Sequence, residues 1–466
     1  MRILALDQGT TSTRGLVADD GGRAEIVRAV RHEQHFPAAD RVEHDPAELL
    51  ANLRAVLDAA GPVDAIALSN QGESCLAWDA VTGEALSPVI VWQDRRTEAR
   101  LAEMAQREAF VRARAGLPLD PYFSASKLGW LLETSAPVQA AHRAGRLRLG
   151  TTDAYFLQNL TGEASTDITT ASRTSLMSLA TGQWDPELCA LFGVPIECLP
   201  PIRPTVADFG AINGMPVTAA VVDQQAALYG HGCRATGDAK ITFGTGAFAL
   251  ALADGLPQAE TESGLLPTVA WQIGGDTTYA LEGGVHAAGA AVEWAMRIGL
   301  VDGPEALSGF DAPAAIDRDL AFVPALAGLA APHWDGSAAG LFIGMTGATT
   351  RADMAQALVE GIALRAAEIA ARMAGDKPVK RISVDGGLTR SDYLCRFLAD
   401  VTGAEIVLPA TEELTAFGAA QLAAVGIGAA LPAAPPRAVI VPRDCDRTGR
   451  LARFGGAVAR ARGWRG

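Results

Sequence analysis

Arg2-Ile3-Leu4-Ala5-Leu6-Asp7-Gln8-Gly9-Thr10-Thr11-Ser12-Thr13-Arg14 opens the chain and decides its fold. An apolar strand ends in a carboxylate, turns through Gly-Thr-Thr, and returns as the apolar run Gly15-Leu16-Val17-Ala18. Glycine in such a turn lets backbone come close to an anion, and N–H groups with threonine hydroxyls hold phosphate oxygens. Asp7 at the strand end is placed to hold a hydrated Mg²⁺, which takes only a carboxylate or two from protein. Alone, the stretch also fits a hairpin whose Asp and Thr merely cap the turn.

The theme recurs. Lys240-Ile241-Thr242-Phe243 leads into Gly244-Thr245-Gly246, and Phe248 to Leu252 leaves as a second arm. Two related lobes, each with a phosphate-cradling hairpin, are the economical reading, with a division at 1–236 and 237–466. Farther on, Arg381-Ile382-Ser383-Val384-Asp385-Gly386-Gly387 runs a strand into paired glycines, against which a flat purine can lie, and a helix is expected from Ser391. In the first lobe a helix is expected from Asp45 to Ala59, with Asp45 as N-cap and Pro46 at its first turn. The segments Ala65–Ser69, Pro88–Trp92 and Val217–Val222 read as strands that each run into polar residues. Open α/β sheets bind ligands at such strand ends. Leu431 to Pro436 reads as a rigid connector before a short basic terminal helix.

Composition narrows the class. The 466 residues give material for two to three domains, and 49% hydrophobic with 20% charged residues is a globular balance. A formal charge of −14 gives no general attraction to nucleic acid or anionic membrane. Six scattered cysteines without a Cys-x-x-Cys pair fit reduced thiols in a cytoplasm. No signal peptide or membrane span is read, because apolar runs such as Leu422 to Pro436 are broken by Gly and Pro. His32 and His35 lack the spacing of a zinc-protease helix and are expected in a solvated loop.

Asp-x-Gly-Thr-Thr, Gly-Thr-Gly and Asp-Gly-Gly, in this order, resemble the superfamily of actin, hexokinase and the large heat-shock chaperones. That resemblance implies an α/β fold of two ribonuclease-H-like lobes flanking a nucleotide cleft. Asn70-Gln71, Val91 to Thr97, Ala171-Ser172-Arg173-Thr174, Asp223 to Leu228, Gly340 to Met345 and Glu360-Gly361-Ile362-Ala363 resemble the FGGY carbohydrate kinases. Leu6 to Ser12, Tyr279 to Gly283 and Phe322 to Ala325 point, within that family, to its glycerol kinase branch. The resemblance implies an ATP- and Mg²⁺-dependent enzyme phosphorylating a terminal hydroxyl of glycerol or a related small polyol or sugar. It also implies a cytoplasmic homo-oligomer, dimer or tetramer. The alternatives are a kinase of a larger sugar or sugar acid, and a non-catalytic nucleotide-switched binding protein of the wider superfamily.

Roles follow residue by residue. Asp223, at the end of a buried strand, is the candidate base that accepts the alcohol proton, although an Asp there also serves as a helix cap. Asp7 is the metal-associated carboxylate. Thr10, Thr11, Ser12 and Arg14 resemble residues around the β- and γ-phosphates, opposed by Gly244 and Thr245. Gly289, Glu293, Gly387 and Ser391 resemble positions around adenine and ribose, where Glu293 replaces the usual Gln and Ser391 the usual Asn. Gly72, Glu73, Trp92, Tyr122, Asp223, Gln224 and Phe248 match acceptor-binding positions. Carboxylates and amides bond hydroxyls while aromatic faces cover C–H groups, though Trp92 and Phe248 also suit a core and Tyr122 a turn. Asp94-Arg95-Arg96 is expected to form a hydrogen-bonded corner that sets the pose of Trp92. One departure matters for the acceptor. Gly72 stands where glycerol kinases carry Arg, so the pocket is expected to hold glycerol less firmly or to have room for a larger acceptor.

Overall fold

The computed structural model describes residues 1–257, 264–375 and 377–465. Strand β1 (Arg2–Gln8) turns at Gly9 into antiparallel β2 (Ser12–Asp19), with Asp7 opposite Arg14, and β3 (Ala24–Arg31) follows. Ile3, Leu4, Ala5 and Leu6 are all buried, as an apolar run covered on both faces requires. Helix α1 (Pro46–Ala60) starts where expected, the Asp45 carboxylate accepting from Ala47 N–H. It comes close to β2 because position 15 is glycine: a Cβ there would lie 2.3 Å from Val56 Cγ1. Next come β4 (Ala65–Asn70), α2 (Thr152–Thr161), the short β5 (Ala211–Ile212), β6 (Met215–Val222) and α3 (Asp223–Gly230). The sheet order is β5-β6-β4-β1-β2-β3, with β1, β4 and β6 parallel. These three strands end on one edge, bringing Asp7, Gln71 and Asp223 to the same rim.

The second sheet repeats the plan. Strand β7 (Asp238–Phe243) turns through Gly244–Gly246 into β8 (Ala247–Leu252), followed by β9 (Leu266–Ile273), β10 (Asp276–Val285) and α4 (Gly289–Arg297). After α5 (Arg351–Met373) come β11 (Arg381–Asp385), α6 (Asp392–Thr402), β12 (Glu405–Pro409), α7 (Leu414–Gly426), β13 (Pro436–Ile440) and α8 (Arg447–Ala461). The order is β9-β10-β8-β7-β11-β12-β13, with β7, β11 and β12 parallel. Again an antiparallel hairpin adjoins parallel strands. The terminal helix is present, but an edge strand, β13, stands between it and the proline-rich connector.

Helices α3 and α7 form the middle layer. One apolar cluster joins Ala5 and Ala67 of the first sheet, Leu228 of α3, Leu422 of α7, and Leu250 and Ala280 of the second sheet. The second half of the chain therefore sends α7 back to cover the first sheet. Two strand ends differ from expectation. Only Val89–Ile90 is extended, because the Trp92 N–H is taken by Ser74 Oγ (3.1 Å) and Asp94 N–H turns back to Val91 O (3.0 Å). His32 is buried rather than solvated, its Nε2–H donating to Thr10 O at 2.9 Å. No helix among the described residues is long and apolar enough to cross a membrane.

Candidate active site

The rim of the first sheet opens into a cavity of about 120 Å³. Every residue expected around the acceptor lines it: Gly72, Glu73, Trp92, Tyr122, Asp223, Gln224 and Phe248. Thr10 of the phosphate turn lines it too, and its Oγ1 accepts from Trp92 Nε1 at 3.0 Å. One threonine thus joins the two half-sites. Trp92 and Tyr122 meet edge to face, 5.5 Å between centroids. Their setting comes from a small sheet of Glu43–His44, Val89–Ile90, Cys75–Asp79 and Leu147–Thr151, and from the buried corner below it. There Asp94 accepts from Val42 N–H (2.7 Å) and from Arg96 N–H and Nε (3.0 and 2.8 Å), so Asp94 and Arg96 form a hydrogen-bonded corner, whereas Arg95, expected in it, is exposed and pairs with Glu98. Glu73 has φ of 59°, a left-handed conformation unusual for a side-chain-bearing residue and common where a group is held for function.

Three carboxylates face the rim without full compensation. Burial pushes the Asp223 carboxyl up to about 7, and the neighbouring Asp7 adds to the rise. Burial likewise lifts Glu73 to about 7, against the pull of Arg173, and Asp7 to about 6, against Arg14. Asp223 is the first residue of α3, and its Oδ1 accepts from Gln224 N–H at 2.6 Å. Its other oxygen makes no hydrogen bond among the described residues, and Val222 rather than Asp223 is the N-cap of α3, with no side-chain cap bond, so the carboxylate is not spent on capping the helix. Gln224 is fixed from behind, its Oε1 accepting from Lys240 Nζ at 2.5 Å, while burial lowers the lysine pKa. Asp7 Oδ1 is buried with no hydrogen-bond partner. That orphan oxygen, beside a second carboxylate, is a place a cation fits.

A second cavity, of about 410 Å³, lies between β2 and the ends of β11 and β12. Arg14, Thr242, Gly386, Gly387 and Glu413 are among its walls. Gly386 has φ of 92°, and a Cβ there would lie 2.2 Å from Phe243 O, so glycine is required. At Gly387 a Cβ would meet nothing within 4 Å, which leaves a flat, open wall. Arg14 pairs with Glu413 at 2.9 Å. In the phosphate turn Gly9 N–H donates to Ser12 O (3.0 Å), and Thr11 is exposed at its tip. Gly244 and Thr245 are exposed at the opposing tip.

Three positions expected around the base do not line this cavity. Gly289 serves packing: its N–H donates to Gly244 O at 3.0 Å, and a Cβ would sit 2.6 Å from that oxygen. It supports the second phosphate hairpin from behind. Glu293 is exposed on α4. Ser391 caps α6, accepting from Leu394 N–H (3.0 Å) and donating to Leu307 O (2.7 Å), so its hydroxyl is engaged on both sides. Gly72 lines the acceptor cavity, but the first atom of a side chain there would already crowd a neighbour. A Cβ there would lie 2.9 Å from Val222 Cγ2.

Arg173, Glu282 and Lys240 belong to the site although sequence reasoning gave them no role. Arg173 and Glu282 line the acceptor cavity, and each stands inside a motif already singled out, Ala-Ser-Arg-Thr and Tyr-Ala-Leu-Glu-Gly. A charged residue inside an otherwise apolar or small-residue run was the available signal. Their pairing spans a long sequence separation and has no local trace.

Comparison with known proteins shows the family of the chain. The N-terminal domain model of the FGGY family of carbohydrate kinases matches residues 2–230, and the C-terminal domain model matches residues 239–427. A glycerol kinase of Alkalilimnicola ehrlichii is 42% identical, covering 99% of this chain and 98% of its own. One from Thermus brockianus is 40% identical, with 99% of each chain covered. Among solved structures, Plasmodium falciparum glycerol kinase with ADP superposes with a TM-score of 0.91 at 30% identity, covering 99% of this chain and 98% of that one. A xylulose kinase of Lactobacillus acidophilus shares the fold, with a TM-score of 0.85 at 22% identity.

Proposed function

We propose that this chain, which belongs to the FGGY family of carbohydrate kinases, transfers the γ-phosphoryl group of ATP to a terminal hydroxyl of glycerol. The observation that carries the acceptor is the partly enclosed cavity of about 120 Å³, where six acceptor-type side chains and the Gly72 backbone meet Thr10 of the phosphate turn. Full-length similarity to glycerol kinases supports the same reading.

Each residue then has a task. Trp92, Tyr122 and Phe248 cover the carbon skeleton, while Glu73 and Gln224 bond its hydroxyls and orient the terminal one. Asp223, through the oxygen not bonded to Gln224 N–H, accepts the proton as the hydroxyl attacks phosphorus. Thr10, Thr11, Ser12 and Arg14 meet the phosphates from one side and Gly244 and Thr245 from the other. Gly386 and Gly387 give the nucleoside a flat wall. Among the described residues, no cluster of three or more His, Cys, Asp or Glu could hold a metal alone. Mg²⁺ keeps several waters and takes a carboxylate or two from protein, and Asp7, whose buried Oδ1 has no hydrogen-bond partner, would be that carboxylate. Mg²⁺, when bound there, neutralises phosphate charge. By family likeness the enzyme works in the cytoplasm as a dimer or tetramer.

A second reading, a four- or five-carbon polyol or ketose, has one observation in its favour. A chamber of about 260 Å³ adjoins the acceptor cavity and shares Trp92, Tyr122, Phe248 and Glu282 with it. An ADP-release assay across glycerol, erythritol, dihydroxyacetone, xylulose, ribulose and gluconate separates the two. Highest kcat/KM for glycerol supports the first reading, and preference for a longer acceptor replaces it with the second.

A further inference from the structure

Arg173 is the one cationic side chain among the described residues lining the acceptor cavity. Its side chain is 3% exposed, and it is clamped between carboxylates from the two halves of the chain. Nε donates to Glu73 Oε1 at 2.7 Å, and Nη1 lies 2.8 Å from Glu282 Oε2. Yet Nη1 is buried without a hydrogen bond of acceptable geometry. The Phe123 ring, 5.5 Å from the guanidinium carbon, closes one face of the group. The remaining nitrogen, Nη2, makes no hydrogen bond among the described residues and is not sealed off as Nη1 is, so it is the nitrogen that an acceptor oxygen in the cavity can meet.

The arrangement also says what kind of acceptor. Glu73, Arg173 and Glu282 alternate accepting, donating and accepting groups along one wall, and neighbouring hydroxyls, which both donate and accept, complement that order. Asp223 and Gln224 face the same space, with the Lys240 ammonium behind Gln224 and bonded to it. Three carboxylates against one guanidinium leave the lining anionic. An acceptor carrying its own carboxylate would meet like charge in a desolvated site. Gly72 cannot supply a cation, and Val222 fills the direction its side chain would take.

We propose that Arg173, presented by Glu73 and Glu282, is an acceptor-binding residue that hydrogen-bonds a hydroxyl oxygen of the polyol, in a site whose charge selects neutral polyols over sugar acids. The proposal rests on the polyol kinase reading above. Arg173→Lys keeps the charge but loses the planar fork, and Arg173→Gln loses both. Kinetics with glycerol, wild-type kinetics with gluconate, and ADP binding by calorimetry provide the test. The expected result for Arg173→Lys is a glycerol KM raised ~10–100-fold with kcat much less affected and ADP affinity unchanged, as loss of a charge-assisted bond implies. Arg173→Gln should lose more, and wild type should turn over glycerol at least ~10³-fold more efficiently than gluconate. An ADP-binding Arg173→Lys enzyme with unchanged glycerol KM overturns the residue's role, and efficient use of gluconate by wild type overturns the charge selection. A wild type inactive on every polyol overturns the kinase reading itself, a distinguishable outcome. Should both variants fail to fold, a crystal structure of wild type with glycerol and ADP decides: the guanidinium within hydrogen-bond reach of a glycerol oxygen supports the proposal, and its absence from that position ends it.

Discussion

Asp223 is pulled two ways. Burial and the nearby Asp7 charge hold its proton up to about 7, whereas a base must be ionised to accept the hydroxyl proton. A raised carboxyl pKa means the folded enzyme keeps the proton at mildly acidic pH, so activity should rise as pH climbs through that value. We expect kcat/KM for the acceptor to fall about tenfold per pH unit well below pH 7, with an apparent pKa shared by the Asp7–Asp223 pair. A profile flat from pH 5.5 to 8 would contradict this. Asp223→Asn should bind ADP normally and lose turnover by ~10²–10⁴-fold or more, since base and orientation go together. Gly72 gives a prediction of opposite sign to the one its neighbourhood in sequence suggests. With Val222 Cγ2 only 2.9 Å from a Cβ there, Gly72→Arg must displace the last residue of β6, next to Asp223. Overpacking of this kind costs ~1–3 kcal/mol of folding stability, so a lower melting temperature with no gain in glycerol kcat/KM is expected. A gain for glycerol in the assay would restore the idea of a vacant arginine site. These residues mark the limit of legibility. Asp223 and Glu73 are visible because strand ends and turns are local, but Val222 beside Gly72, and Glu282 beside Arg173, meet only through tertiary packing.

Helices α3 and α7 show the same limit one level up. Asp45-Pro46 announces the start of α1 from two residues, and both Gly-Thr turns announce their hairpins. Helix α7 is different. Buried residues lie on nearly all its faces, which is legible as a helix surrounded by protein. Which sheet it covers is not legible, because the partner strands lie hundreds of residues earlier. Its crossing with α3 is set by glycine: a Cβ on Gly418 would lie 1.9 Å from Ala226 O, and one on Gly230 would lie 2.0 Å from Leu414 O. Helix α3 carries Asp223 at its start, so spreading this crossing should move the base. Gly418→Ala is expected to lower stability by ~1–3 kcal/mol or more. It should also reduce kcat by more than it raises KM for ATP. Thermal melts and steady-state kinetics on one preparation check both. An unchanged melting temperature would show that the helices separate without cost.

Across the whole molecule, the groups proposed to face phosphate are split between two sheets. Gly9 to Arg14 hang from the first, and Gly244, Thr245 and Gly387 from the second, with α3 and α7 between them. No single sheet presents both sets of groups, so we expect the nucleotide site to be completed as the sheets approach about the middle layer. Acceptor binding assists, since Phe248 and Glu282 belong to the second sheet while Glu73, Trp92 and Asp223 belong with the first. Closure driven by both ligands excludes water from the moving phosphoryl group. Arg14 and Glu413, which pair at 2.9 Å, both line the cavity between the two sheets. Two consequences are measurable. ATP hydrolysis without acceptor should be slower than phosphorylation of glycerol by ~10²-fold or more, as water alone does not bring the second sheet onto the acceptor. Small-angle scattering should show a smaller radius of gyration with glycerol and a non-hydrolysable ATP analogue together than with either alone. Equal radii in the free, binary and ternary states would mean that the cleft is preformed, and that catalysis here does not depend on the lobes moving.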